Sequence, residues 1–496
     1  MICACFAMRG TARKPCYSRL CMGCYATAFD QILPLHRRAA AFGLRVAHGV
    51  ARRAGIVGGQ RVERAIRSVG NRVLAVRTAH QGDEAVAAAW PAVEPPMSAP
   101  ADLVVSVIGS LGPGGAERQL AMYLAASTRR GLARHELVSL RPCDGIHAHH
   151  LPKLAACGVP VVHRGDHADR AALERILGDT SLHARFRALP LPIRHDVVDL
   201  AGEFLRTRPR VVHAWMDHAN VTAGLAALAV GVPRIVLSFR SLHPGNFPVL
   251  HRNWMLPWYR LLVADPRVRM VANSRAGAAS YAEWLDVDPA RIAVVLNGLD
   301  PSDYAQPDPA EIARMRAELA PHGGRLVVGM MRLSEEKRPL LFAETARVVC
   351  ATDAQVSFAL AGDGPLRDEV RGLAAPLGAR FTMLGARSDA AQVLAAADLV
   401  LLTSRAEGTP NVLLESQLLG VPVVATRVGG VGDAVDEGRT GILCDADDSA
   451  GLRDAVLRLL GDEVQRTRLG KAGPAWVASR FSVDAMVDAT DALYGG

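Results

Sequence analysis

Two carboxylates eight positions apart frame the segment Glu407-Gly408-Thr409-Pro410-Asn411-Val412-Leu413-Leu414-Glu415. Thr409 is a suitable N-cap and Pro410 a suitable first helical residue, so a helix is expected to begin here and to stop near Gly420. Glu407 then stands in a loop and Glu415 on the helix. The amides of Thr409 to Val412 make a positive helix terminus between them. One carboxylate near a helix start needs no explanation beyond the dipole. Two acids bracketing an anion-binding terminus suit a molecule with hydroxyls at one end and phosphates at the other, and a nucleotide sugar has that make-up.

Other motifs supply complementary chemistry. Met330-Met331-Arg332-Leu333-Ser334-Glu335-Glu336-Lys337-Arg338-Pro339 places Arg332 and Lys337 just beyond an apolar run, where two cations could clamp a diphosphate or simply line a solvated loop. Gly109-Ser110-Leu111-Gly112-Pro113-Gly114-Gly115 leads into the helical Ala116-Glu117-Arg118-Gln119-Leu120. Glycines at such a turn let backbone N–H groups approach a phosphate, although G-x-x-G-x-G is not the dinucleotide pattern G-x-G-x-x-G. Ala361-Gly362-Asp363-Gly364-Pro365-Leu366-Arg367 reads as a tight turn, because Arg367 occupies the third glycine position. Asp217 and His218, in the strand-end group His213-Ala214-Trp215-Met216-Asp217-His218, are candidates for the acceptor side or ordinary strand-end residues.

No metal is expected. Asp286-x-Asp288 and Asp445-x-Asp447 have a D-x-D spacing but fall in turns, and His147, His149 and His150 read as a solvated loop. Cys21-Met22-Gly23-Cys24 lacks a second pair.

Those side chains need a scaffold that ends strands in loops. From residue 101 short β-branched runs alternate with helical stretches: Leu103-Ile108, Glu136-Leu140, Pro160-His163, Arg210-Ala214, Ile235-Phe239, Arg269-Ala272 and Ile292-Leu296. After Asn297-Gly298-Leu299-Asp300-Pro301 the alternation restarts with Leu326-Met331, Val356-Ala361, Phe381-Leu384, Leu399-Thr403, Pro422-Ala425 and Ile442-Cys444. Near-continuous apolar strands between helices predict two doubly wound α/β domains with parallel sheets facing a cleft. The expected division is a basic Ala/Arg-rich extension with a Pro-rich linker, poorly ordered, over 1–100; a Rossmann-like acceptor domain over 101–308; a Rossmann-like donor domain over 309–480; and a C-terminal helix over 481–496.

Of 496 residues, 50% are hydrophobic and 21% charged, which excludes disorder of the whole chain. The first 100 residues hold 14 Lys/Arg against 5 Asp/Glu, whereas the rest hold 43 against 44. The net charge of +8 is therefore local, and no nucleic-acid partner is expected of the body. Arg-rich stretches over 29–80 would suit an anionic membrane surface if they formed amphipathic helices. Trp90 to Pro96 reads as the linker, and Met97 is a candidate start. Five of nine cysteines lie within the first 24 residues, with no disulfide framework, so a reducing cytoplasm is expected. No signal peptide or membrane span is expected, the longest uncharged apolar stretch, Ala219 to Pro233, being too short.

Taken together, Met330 to Pro339, Gly362 to Leu366, Glu407 to Glu415 and Gly420-Val421-Pro422-Val423-Val424-Ala425-Thr426-Arg427-Val428-Gly429-Gly430 resemble glycosyltransferase family 4, of the GT-B fold. The likeness extends to Gly114-Gly115-Ala116-Glu117-Arg118, Asn273-Ser274 and Asn297 to Asp300, and covers 101–496. The resemblance implies a retaining transfer from a nucleotide sugar, UDP- or GDP-linked, to an acceptor glycan or lipid-linked sugar, without a metal cofactor. Arg332 and Lys337 would hold the donor diphosphate, Glu407 the sugar hydroxyls and Glu415 the ribose. Gly408, Thr409, Pro410 and Asn411 would line the sugar and phosphate site, Gly385 to Arg387 would face the base, and Gly114 and Gly115 would complete the phosphate site. Synthesis of a surface polysaccharide or glycolipid, in the cytoplasm or peripherally at the inner face of its membrane, is the expected setting. A nucleotide-sugar epimerase of the same fold, or a non-catalytic binding module, are the alternatives. One departure stands out: where family members often carry T-x-H, this chain has Ser238-Phe239-Arg240, with His243 slightly later. Arg240 could therefore face an anionic acceptor or a donor phosphate.

Overall fold

The computed structural model describes residues 86, 90, 101–166, 178–247, 252, 254–300 and 307–495. The Cys21/Cys24 pair, the 29–80 helices, Pro91 to Pro96 and Met97 lie outside the described residues. The chain divides into two compact units, 1–80 and 81–496, and the fold below belongs to the second.

Among the described residues thirteen strands, β1 to β13 in chain order, form two sheets. The first runs, in spatial order, β3 (Val161–His163), β2 (Arg134–Ser139), β1 (Ala101–Ile108), β4 (Pro209–Trp215), β5 (Arg234–Phe239), β6 (Val268–Ala272) and β7 (Ile292–Val294). The second runs β10 (Phe381–Gly385), β9 (Val356–Ala361), β8 (Arg325–Met330), β11 (Leu399–Leu402), β12 (Val423–Thr426) and β13 (Gly441–Cys444), centred on β8 and β11. Every pairing is parallel, as between Val105 and both Glu136 and Val212. Such strands need apolar side chains on both faces: Val104, Val105 and Val107 are all fully buried, as are Leu399, Val400 and Leu401 in the second sheet. In both sheets the order reverses beside the first strand of the domain, and such a switch point opens a crevice at the carboxyl ends of the strands.

Five helices matter for the site: α1 (Gly115–Arg129), α2 (Asp217–Ala229), α3 (Asn411–Leu418), α4 (Glu463–Arg480) and α5 (Val483–Asp491). After α4 the chain crosses back to the first domain. Leu299 donates its N–H to the carbonyl of Phe481 at 2.7 Å, and Val483 donates to that of Leu299 at 3.2 Å. Helix α5 then packs on α1, where the Tyr123 hydroxyl donates to Asp491 at 2.6 Å and lies 3.0 Å from that of Tyr494.

Trp90, expected in the linker, is instead buried. Its ring meets Phe186 and Trp258 edge-on at 6.5 and 5.8 Å, and its N–H donates to the Arg185 carbonyl at 3.2 Å. A large indole with one polar atom gains more from that apolar pocket than from a solvated linker.

Candidate active site

The loops after β8 and β11 bring the expected residues of the second domain together. Lys337 follows β8 in a short helical turn, and its ammonium contacts both oxygens of Glu407 at 2.7 Å. Ser404 donates to the same carboxylate at 2.6 Å, and Glu407 is buried. The expected diphosphate ligand and the expected hydroxyl ligand are thus one ion pair. Arg332 is exposed, and among the described residues its guanidinium has no ion pair or hydrogen-bond partner. Gly362 and Gly364 complete this edge as the tight turn expected: a Cβ on Gly362, at φ +132°, would lie 1.8 Å from the Met331 carbonyl oxygen. Gly385, at φ +66°, accepts from the Gly362 N–H at 2.7 Å. Arg387 is exposed and bound to Asp389, Nε to Oδ1 at 2.7 Å.

Thr409 does not cap the helix. Helix α3 starts one residue beyond Pro410, at Asn411, and the Thr409 hydroxyl donates across the seam to the Asn273 carbonyl at 2.5 Å. A buried hydroxyl takes the partner that cannot reach water, and here that partner lies on the other domain. Gly408 has a similar reason for its type. A Cβ there would sit 2.4 Å from the Arg240 carbonyl oxygen, so no larger residue fits without moving backbone. The helix ends as expected, with Gly420 at φ +78°.

Asn297, between the domains, gathers the seam. Its side-chain amide donates to the Asn411 Oδ1 at 2.6 Å and to the Thr409 carbonyl at 3.1 Å, while its oxygen accepts from Arg240 Nη2 at 2.6 Å. Gln119 on α1 donates to the Gly298 carbonyl at 2.9 Å and accepts from the Gly298 N–H at 2.8 Å. Glu415, almost wholly buried, pairs with Arg118 of α1 across the seam. Asn411 reaches the Gly115 carbonyl at 3.4 Å. The two glycine-bearing loops, one from each domain, therefore touch.

On the first-domain side, Gly114 caps α1, and a Cβ there would fall 2.1 Å from an oxygen of Glu117. The chain's own carboxylate thus folds over the helix start where a phosphate was expected. Burial raises its pKa, offset by its own backbone N–H. His150 also differs from expectation. It is buried rather than solvated, its Nε2 has no partner, and burial, with help from His149 and Arg118, lowers its pKa to about 4. Leu111 and the His147–His150 loop exchange backbone hydrogen bonds at 3.2 and 3.1 Å, which pins that loop to the glycine turn.

Arg240, just past β5, lies with its guanidinium carbon 4.6 Å from the centre of the Trp215 ring. Burial lowers it to about 9, and no acid pairs with it among the described residues. His213 stands 5.0 Å from Trp215 and binds the Tyr494 hydroxyl at 2.8 Å; burial lowers it to about 3. Asp217, first residue of α2, accepts from Tyr259 at 2.8 Å and Tyr281 at 2.6 Å, and burial raises its pKa. His218 is exposed and 2.7 Å from Asp196. Both candidate acceptor groups already have partners.

No cluster of three or more His, Cys, Asp or Glu side chains able to hold a metal occurs among the described residues. Asp288 caps a turn through the Ala290 N–H at 2.8 Å, and Asp445 lies 3.8 Å from Arg427. Asn297, Gln119, Arg118 and Trp215 were not assigned roles from sequence. A buried amide such as Gln119 in an otherwise apolar helix face is the kind of signal that could have marked one of them.

Residues 161–303 match the Glycosyltransferase Family 4 domain and residues 324–462 the Glycosyl transferases group 1 domain. The Vi polysaccharide biosynthesis protein VipC/TviE of Salmonella typhi is 27% identical over 398 residues, 76% of this chain and 69% of that one. A UDP-Gal:alpha-D-GlcNAc-diphosphoundecaprenol alpha-1,3-galactosyltransferase of Escherichia coli is 24% identical over 57% of this chain and 74% of its own. Anabaena HepE, solved with UDP-glucose, superposes with a TM-score of 0.63 at 22% identity, over 79% of this chain and 99% of that one, which shows the shared fold. With both of its domains matched by their family models, the chain belongs to glycosyltransferase family 4, with the GT-B fold.

Proposed function

We propose that the protein transfers a hexosyl or N-acetylhexosaminyl unit, with retention, from a UDP- or GDP-linked donor to a hydroxyl of an acceptor glycan or lipid-linked sugar. The observation that carries this reading is the Lys337–Glu407 pair beside Gly408, with Arg332 unengaged. On donor binding, Lys337 and Arg332 would take the diphosphate, leaving Glu407 to accept from sugar hydroxyls. Two fixed cations offset the charge that develops on a departing diphosphate, and such preorganised groups supply about 10²–10³-fold each. No divalent ion is required in this scheme. Attack from the face of the departing group lets a phosphate oxygen take the acceptor proton, so no protein base is needed. Closure of the seam through Asn297 and Arg118 would align the reactants and exclude water.

The Vi polysaccharide and diphosphoundecaprenol relatives favour surface polysaccharide synthesis on a lipid-linked acceptor. No helix among the described residues is long and apolar enough to cross a membrane. The basic first 100 residues would instead attach the protein peripherally to the inner face of the cytoplasmic membrane.

A thermal-shift screen of nucleotide sugars tests the donor, since a ligand that binds only the folded form raises the melting temperature. NMR of the product should then show the anomeric configuration of the donor kept. Interconversion of the donor alone would indicate an epimerase, and affinity without turnover on any acceptor a binding module. EDTA should leave the rate unchanged.

A further inference from the structure

Arg240 is the most poorly compensated charge at the seam. Its Nη2 is spent on the Asn297 amide oxygen, a neutral acceptor, while Nε is sealed from solvent without a partner. The indole of Trp215 lies under it, and the Nε1 of that indole and the Nε2 of His213 are likewise sealed and unpartnered. Among the described residues these are three neighbouring sealed nitrogens without partners, one of them on the half-buried Arg240 guanidinium itself, whereas buried polar groups are nearly always paired. Glu407, next to Gly408 in the chain, is held by Lys337 and Ser404. The backbone of Arg240 meanwhile abuts Gly408, which puts this residue at the seam beside the loop that carries Glu407.

We infer that Arg240 binds a single carboxylate carried by a sugar substrate, so that the enzyme acts on a uronate-type residue in its donor or its acceptor. The inference rests on the function proposed above. A monoanion matches the site better than a phosphate dianion, since one guanidinium faces it and His213, kept neutral by burial, adds no second charge. A carboxylate would also restore the charge balance that the fold leaves open. Planar recognition of this kind is specific to arginine, whereas lysine would keep the charge and lose the fork.

Binding of nucleotide and sugar probes to the full chain by calorimetry separates the possibilities. UDP-glucuronate should bind about tenfold or more tighter than UDP-glucose if the carboxylate is on the donor. Where GDP rather than UDP binds, GDP-mannuronate and GDP-mannose take their place. If it is on the acceptor, methyl glucuronide should bind the nucleotide-loaded protein in preference to methyl glucoside. Either preference should vanish in Arg240→Gln and shrink in Arg240→Lys, with affinity for the free nucleotide kept. Should Arg240→Gln fail to fold, the wild-type preference and its reduction in Arg240→Lys carry the test. Equal binding in both arms, a preference that survives Arg240→Gln, or tighter binding of a phosphorylated sugar overturns the inference while leaving the proposed function intact. Failure of both UDP and GDP to bind overturns the function on which it rests.

Discussion

The two walls of the cleft solve the problem of holding charge in opposite ways. On the second-domain wall the buried acid is matched before any ligand arrives, Lys337 on Glu407 with Ser404 filling the remaining position, and the cation left open, Arg332, stays exposed to water. On the first-domain wall that match is missing. Arg240 has only an amide and an indole, His213 is held neutral, and Glu117 folds over the glycine turn. A matched wall is ready to exchange an internal partner for a substrate at little net cost. An unmatched wall gains stability when the right substrate arrives, so it is where selectivity would be expected.

The contrast breaks most sharply at Gly408, where the walls touch. A methyl group 2.4 Å from the Arg240 carbonyl must push the domains apart. Gly408→Ala should lower the transfer rate by about 10²-fold or more, as misplacement by about 1 Å does. It should also destabilise by about 1–3 kcal/mol, the usual cost of overpacking. Steady-state kinetics and a denaturant melt would show both, and a rate within twofold of wild type would mean the seam is not the site. Next in size is the matched wall. Arg332→Ala should reduce kcat by about 10²–10³-fold with little change in melting temperature, since that guanidinium supports nothing in the fold.

The seam pair gives a smaller effect. Arg118→Met leaves Glu415 buried without its cation and should cost about 2 kcal/mol, less than the 3–5 of a fully buried pair because Arg118 is partly exposed. Arg118→Met with Glu415→Gln should recover part of that loss in the same denaturation experiment. A separate effect is a pH slope that comes from histidines of the first domain. His135, His150 and His213 fall from 6.5 to about 4, 4 and 3 through burial. The unfolded chain therefore binds more protons than the folded one below about pH 6.5, so their contribution is present above that pH and lost on acidification. Melting temperature should drop between pH 6.5 and 4, less steeply in His150→Gln.

The sheets were legible because parallel strands buried on both faces leave unmistakable apolar runs; Val356–Ala361 is found where its six residues place it. The matched wall was legible too, because Arg332, Lys337 and Glu407 sit in loops that directly follow strands of one sheet. The seam was not. Arg118 and Glu415 are 297 positions apart and Arg240 and Asn297 are 57, and no local spacing encodes such meetings. Thr409 shows the limit at short range: its local chemistry favours a cap, but the Asn273 carbonyl from the other domain takes the hydroxyl. His150 and Trp90 failed similarly, since polar or Pro-rich surroundings in sequence say little about which tertiary pocket a single ring fills.

Calorimetric titration of UDP and a UDP-sugar, or their GDP counterparts, into wild type, Arg332→Ala and Glu407→Gln bears most directly on the claim that one cleft grips a nucleotide sugar by both ends. Arg332→Ala should weaken nucleotide and nucleotide sugar alike, whereas Glu407→Gln should leave the nucleotide bound and abolish any gain from the sugar. Titrations indistinguishable from wild type in both variants would contradict the account.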